Sequence, residues 1–420
     1  MKHIKILTTR ATPLLAAASM LILAFAARAD TTAFSVVANP PVSPALQQAR
    51  RHMLDADINM LTFHSMDQLF NTRKVTRSGP VWTLPREDKE LAFNYSFGGK
   101  TYTPEQFLDR TYTNALLIAK HGKIVYENYR NLTNERTKFI SFSMAKSITS
   151  MLIGIALSEG QIRSLDDPID TYVPQLKGSG YEGVTIRQVM RMRSGVSYDE
   201  RYDFGTHSQA QQVFEDAIVQ NTKRFADLAP SLHRGMAPGS KFNYSTMDTA
   251  VLGWMLERAV KEPLATYMTT KLWEPMGMES DGFFIADGPP GVGRALNGMG
   301  FNATLRDYAR IGLLMLHHGR AMGKQIVPRE WVKLSTASTA IDGVNPIGPS
   351  PIPLGYGYQW WTLHGTGAYV ALGLQGQFIY IDPVTDTVVV KLSYFPPGNN
   401  NALETESLTF FRAASAWHPG

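Results

Sequence analysis

The sequence predicts an α+β fold: an antiparallel β-sheet flanked by helices, with an all-helical domain inserted in the middle of the chain. Three observations predict it. Strand-like apolar runs occur early, over residues 115–126, and return late, over residues 369–394. Residues 160–295, between them, show helical patterns broken by glycine and proline loops and no convincing strand alternation. One sheet made from both ends of the chain fits this order. The expected division is a sheet part over 30–145 and 295–420 and a mainly helical part over 146–294.

The elements follow in order. Residues 30–100 read as irregular with short helices, and Asn39-Pro40-Pro41 and Gly79-Pro80 mark loops. A hairpin comes next, with Ala115–Ala119 and Lys123–Tyr126 on either side of His121-Gly122. The run Met144–Leu157 is apolar nearly all round, the pattern of a helix sunk in a core. Met247–Val260 and Thr304–His317 read as further helices, the second with Asp307 three residues after a Thr304 cap. Pro328 opens another at a first-turn position. Strands are expected at Tyr369–Ala371, Phe378–Asp382 and Thr387–Tyr394, with a turn at Asp382-Pro383 and a closing helix over Leu403–Ala414. No internal repeat or low-complexity tract is visible.

The N-terminus reads as a secretory signal. Lys2, Lys5 and Arg10 make a positive start, Pro13–Ala27 is apolar, and Ala27-Arg28-Ala29 is a small-x-small cleavage site before Asp30. The alternative is an uncleaved anchor, although the apolar part is short for a membrane span. A periplasmic or secreted location is expected, with no membrane span after signal removal. Residues 1–29 carry Lys2, Lys5, Arg10 and Arg28 and no acid, so the net charge of +5 falls to +1 without them. The high pI therefore indicates no nucleic-acid partner, and no basic run is interleaved with aromatics. The chain has no cysteine, which excludes thiol nucleophiles, disulfides and cysteine-based zinc sites.

The chemistry starts at Ser143-Met144-Ala145-Lys146, the only Ser-x-x-Lys in the chain. A spacing of three puts hydroxyl and amine one helical turn apart on one face. A serine hydroxyl becomes a good nucleophile when a nearby base takes its proton, and a lysine becomes such a base when burial lowers its pKa. The structural alternative is a Ser143 N-cap with Lys146 reaching out to water. Pro238–Thr246 follows a hundred residues on, with Tyr244 just ahead of a helix. A tyrosine beside a lysine ammonium can have its phenol pKa lowered and act as a general base; the alternative is an aromatic packed at a helix entrance. Late in the chain, Leu372–Pro383 contains two glycines ahead of a strand. Read as an edge strand, it lets substrate approach the backbone at Gln375 and Gly376, with the Gln377 N–H joining that of Ser143 as an oxyanion hole. A plain glycine turn is the other reading.

These pieces in this order resemble the serine β-lactamase-like family of class C β-lactamases, DD-peptidases and related esterases and amidases. The resemblance runs from about Asn114 to the C-terminus. Leu165–Ile169, Val184–Val189 with Ser194-Gly195-Val196, and Gly300–Asp307 add to it. It implies a β-lactamase/transpeptidase-like fold with the site between the sheet and the helical part. It implies Ser143 as the acylated nucleophile, Lys146 as its helix neighbour and Tyr244 as the proton shuttle. The Gly376-Gln377 region would correspond to the Lys-Thr-Gly strand. Leu374 stands where that strand has a cationic lysine, and Thr246 stands where an asparagine usually follows the tyrosine by two. Both departures point away from β-lactams. Trp360-Trp361 and the strand motif look most like the branch of 6-aminohexanoate-dimer hydrolases and carboxylesterases. In that branch a loop tyrosine contacts substrate, and Tyr202 is the match.

The expected function is a secreted serine hydrolase that cleaves small-molecule ester, amide or peptide-like substrates through a Ser143 acyl-enzyme. It needs no metal or organic cofactor. Tyr202, Thr246, Gln375 and Gly376 are the expected substrate-binding residues. A β-lactamase or DD-peptidase with the same chemistry, and a non-catalytic binding protein on this fold, are the alternatives. A Ser-His-Asp hydrolase would show Gly-x-Ser-x-Gly, which is absent.

Overall fold

A computed structural model describes residues 42–419 apart from 201–207, 289–290, 343–353 and 399. The proposed signal segment and Tyr202 lie outside the described residues.

Two strands, β1 (Thr113–Lys120) and β2 (Lys123–Tyr129), form the expected hairpin. His121 and Gly122 both take positive φ, 50° and 73°. Two left-handed residues in a row give the two-residue turn whose twist matches paired strands. The chain then runs through helices α1 (Met144–Ser158), α2 (Thr246–Val260) and α3 (Leu305–Leu316). It returns to the sheet with β3 (Leu354–Tyr356), β4 (Trp361–Leu363), β5 (Tyr369–Gly373), β6 (Gln377–Asp382) and β7 (Thr387–Ser393), and ends in helix α4 (Asn401–Ala416). The seven strands make one sheet in the order β3-β4-β5-β6-β7-β1-β2. Every neighbouring pair is antiparallel. Both ends of the chain therefore build the sheet, as the sequence predicts.

The register explains why the central strands read as unbroken apolar runs. Leu117, Ala119, Ile379, Ile381, Val388 and Val390 belong to the core that holds α1 and α3. Leu116, Ile118, Phe378, Tyr380 and Val389 face the other way, toward Leu408, Phe410 and Phe411 of α4. A strand covered on both faces has no polar side to show, so no alternation appears. β6 lies between β5 and β7. The expectation of an edge strand there is corrected.

A second, four-stranded antiparallel sheet pairs Thr72–Val75 with Gly282–Ile285, then Phe301–Ala303, then Phe139–Ile140. Its Gly282–Ile285 strand lies inside the stretch that showed no alternation. All four of its residues are buried, which is why the period of two is missing. Among the described residues, no helix is long and apolar enough to cross a membrane.

Candidate active site

Ser143 stands at the junction of the small sheet and α1. The strand Phe139–Ile140 delivers the chain to it, and the Ser141 N–H donates to Phe301 O at 2.7 Å. Phe142 takes φ +41°, an uncommon conformation for a bulky residue. Ser143 itself has helical φ and ψ, and its hydroxyl makes no capping bond to the helix. That hydroxyl is thus available to other partners.

α1 is buried from Met144 to Ala156. Two of its polar side chains are tied off inside the protein. Ser147 Oγ donates to Gln359 O at 2.6 Å, and Thr149 Oγ1 donates to Asn297 O at 2.9 Å. Lys146 is 1% exposed, so it cannot reach water as a surface lysine does. Its Nζ donates to Ser143 Oγ, Thr246 Oγ1 and Gly298 O, each at 2.9 Å. Three fixed acceptors hold the amine. At Gly298 a Cβ would come within 2.9 Å of Thr246 Cγ2, so only glycine brings this carbonyl so close to α2.

Tyr244 arrives from the other side. It lies just ahead of α2, whose N-cap is Ser245, accepting from the Asp248 N–H at 3.1 Å. The ring stacks on Trp361 with centroids 5.6 Å apart and meets Tyr356 edge-on. Lys146 Nζ lies 4.9 Å from the ring centre, and the Ser143 side chain is close enough to act on the phenol. The structure thus brings Ser143, Lys146 and Tyr244 together in a nearly dry site.

Burial sets the protonation of the pair. It lowers the Lys146 pKa to about 8, against a smaller opposing pull from Glu200. It raises the Tyr244 phenol above its ordinary value, with the Ser143 hydrogen bond acting the other way. The expected lowering of the tyrosine is therefore reversed: desolvation outweighs the opposing effect of Ser143. Burial therefore favours the neutral form of both groups.

Thr246 lies beside Lys146 and accepts a hydrogen bond from its amine. Glu200 was not anticipated. Its carboxylate accepts from the Thr246 backbone N–H at 2.5 Å and from the Thr246 hydroxyl. A chain Lys146–Thr246–Glu200 results. Glu200 comes from a loop after Tyr198, with no spacing relation to Ser143, so no local signal marks it.

The late glycine motif meets the site differently from expectation. Gly373 ends β5, and a Cβ there would lie 2.2 Å from Ser141 O and 3.2 Å from Phe142 Cβ. The backbone of β5 thus touches the residues leading to Ser143. β4 pairs with β5 only at Tyr369 and Val370, so among the described residues no strand covers the β5 edge beyond Val370. Gln375 and Gly376 turn the other way. Gln375 is buried, and its Nε2 donates to Leu54 O and Phe395 O. A Cβ on Gly376 would strike Phe395 and Ser393. Both residues have positive φ, 54° and 92°, and this tight turn carries them off the β5 line. Gln377 sits in β6 with strands on both sides, and its side chain bonds to Ser393 O. It therefore has no open edge to offer an oxyanion. Leu374, next to Gly373, is the backbone position that continues the open edge.

An antiparallel sheet between helices, with serine, lysine and tyrosine converging at a helix start, defines the class of β-lactamase-like serine hydrolases. The chain belongs to the beta-lactamase family, which matches residues 105–411. It is 32% identical over 350 residues to the 6-aminohexanoate-dimer hydrolase of Paenarthrobacter ureafaciens, covering 81% of this chain and 87% of that protein. It is 28% identical over 189 residues to Esterase EstB of Burkholderia gladioli, covering 41% of this chain and 47% of that one. Among solved structures, a Bacillus anthracis protein proposed to be a 6-aminohexanoate-dimer hydrolase superposes with a TM-score of 0.78 at 25% identity. That match covers 90% of this chain and 98% of the other. The protein is a serine hydrolase of this family, related to esterases and amide hydrolases.

Proposed function

We propose that this protein is exported and hydrolyses small esters or amides through an acyl-enzyme on Ser143, with Lys146 as base and Tyr244 as acid. The single observation that carries the reading is the 2.9 Å contact between Lys146 Nζ and Ser143 Oγ inside a buried site. A neutral amine at that distance takes the hydroxyl proton as Oγ attacks the substrate carbonyl. The tetrahedral oxyanion is held by the Ser143 N–H and by an N–H of the open β5 edge at Leu374. Tyr244 then gives its proton to the departing oxygen or nitrogen and is reprotonated from Lys146. Water attacks the ester in the second half, losing its proton to the same pair, and Ser143 leaves with a proton restored.

The relatives named for an amide substrate and an esterase support a substrate drawn from open-chain amides and esters. The aromatic wall of Tyr244, Trp361 and Tyr356 favours an apolar acyl or leaving group. Export rests on the N-terminal pattern of Lys2, Lys5, Arg10 and Ala27-Arg28-Ala29. Turnover of p-nitrophenyl butyrate by wild type and Ser143→Ala tests the catalytic reading. Loss of turnover in the variant supports it, and equal rates would favour a binding protein.

A further inference from the structure

Three groups hold the Lys146 amine, and they differ in what they can do with a proton. Lys146 Nζ is 2.9 Å from each of Gly298 O, Thr246 Oγ1 and Ser143 Oγ. Gly298 O is a carbonyl and only accepts. A hydroxyl accepts or donates, and its neighbours decide which. The Thr246 hydroxyl donates to Glu200 Oε1, so its proton is already committed. Toward Lys146 it offers only a lone pair. The Ser143 hydroxyl makes no capping bond to its helix, so the helix does not hold its proton.

Glu200 is fixed in its accepting role from a second side. Its Oε2 accepts the Thr246 backbone N–H at 2.5 Å, in the first turn of α2, where the helix end favours negative charge. A carboxylate has no proton to give. The pair it serves is sealed: Lys146 is 1% exposed and Thr246 3% exposed, so bulk water does not replace either partner.

A neutral amine has two N–H and one lone pair. Two of its partners here only accept, and the third carries a proton of its own. The two N–H therefore go to Gly298 O and Thr246 Oγ1, and the lone pair is left facing Ser143 Oγ. Resting on the acyl-enzyme reading above, we infer that Glu200 is a positioning residue: by taking the Thr246 proton, it aims the lone pair of neutral Lys146 at the Ser143 hydroxyl. As Oγ attacks, its proton passes to that lone pair. The ammonium so formed has three N–H for the same three oxygens, and no partner has to move.

Glu200→Gln tests the direction of this chain with little change in shape. A backbone N–H only donates, so the new amide oxygen stays on the Thr246 N–H. The amide NH2 then donates to Thr246 Oγ1, whose own proton turns to the Lys146 lone pair. On the plateau of the pH profile, kcat for p-nitrophenyl butyrate should fall about 10²-fold, with KM within about threefold of wild type. Fluorophosphonate labelling of Ser143 should slow in parallel, since it uses the same lone pair. Glu200→Asp still only accepts and should recover about tenfold of the loss.

A Glu200 that merely ties its loop to α2 predicts otherwise, because the glutamine keeps that bond. A kcat for Glu200→Gln within about twofold of wild type overturns the inference, as does an equal loss in Glu200→Asp. Should Glu200→Gln fail to fold, Thr246 carries the test. Thr246→Ser keeps the hydroxyl and should stay within about tenfold of wild type, while Thr246→Val should lose about 10²-fold; equal rates for the two overturn the inference. Ser143→Ala separates this from the reading beneath it. If it abolishes turnover while Glu200→Gln matches wild type, only the role of Glu200 falls. If it turns over like wild type, the acyl-enzyme reading falls and takes the positioning role with it.

Discussion

Lys146 Nζ lies 2.9 Å from Ser143 Oγ, and the bonds from the same amine to Thr246 Oγ1 and Gly298 O are of equal length. A buried amine with three fixed acceptors cannot swing away from the hydroxyl. Lys146→Ala removes the proposed base and its hydrogen bonds to all three acceptors. The expected loss in kcat is about 10³-fold or more, since groups acting as one unit fail together. Steady-state kinetics on a variant with an unchanged circular dichroism spectrum checks it; a loss under tenfold would contradict the assigned role.

The pH dependence follows from the amine. Only neutral Lys146 accepts the serine proton, and its pKa is lowered to about 8. The expected kcat/KM therefore rises with pH and levels off above about 8. Glu200 pulls this pKa upward. Glu200→Gln removes that pull, so the rising limb should move to lower pH. A limb that stays put or moves upward in the variant would show that Lys146 does not set it.

Tyr244 keeps its proton, because burial raises its pKa. Its role as acid then depends on how badly the leaving group needs a proton. Tyr244→Phe should slow hydrolysis of a p-nitrophenyl ester modestly and that of an alkyl amide by about 10²–10⁴-fold, the usual range for a lost general acid. Equal losses on both substrates would remove Tyr244 from leaving-group protonation.

Gly373 holds the β5 edge against the approach to Ser143. A Cβ there would stand 2.2 Å from Ser141 O, so Gly373→Ala must push strand or turn aside. Displacement of about 1 Å at a reacting group costs about 10²-fold in rate, and overpacking costs about 1–3 kcal/mol of stability. Activity and thermal unfolding measured together check this. Wild-type activity in Gly373→Ala would mean that the edge takes no part.

Much of this molecule was legible in the sequence. The buried helix α1 announced itself through a run apolar on all sides, and its bounds differ from expectation by one residue at the C-terminal end. Helical spacing put Ser143 and Lys146 on one face, and the other motifs with the family resemblance decided between a catalytic pair and a capping serine. Tyr244 followed from its place before a helix, together with the family resemblance. What escaped depends on direction and on distance along the chain. Gln375, Gly376 and Gln377 were expected to face the site, but positive φ at Gln375 and Gly376 rotates that turn toward Phe395. No residue pattern marks such a rotation when one of the two left-handed residues is not glycine. Glu200 reaches the site from a loop, through Thr246, and only the folded chain brings it near Lys146. The sign of the Tyr244 shift escaped for a related reason: it is set by how much water the fold removes.

The most direct test of the central claim is peptide mass spectrometry of the folded protein after treatment with a fluorophosphonate. The expected result is one stoichiometric adduct on Ser143, with labelling slowed at least tenfold in Lys146→Ala. Folded protein that carries no adduct on Ser143, or carries it on another residue, would contradict the account.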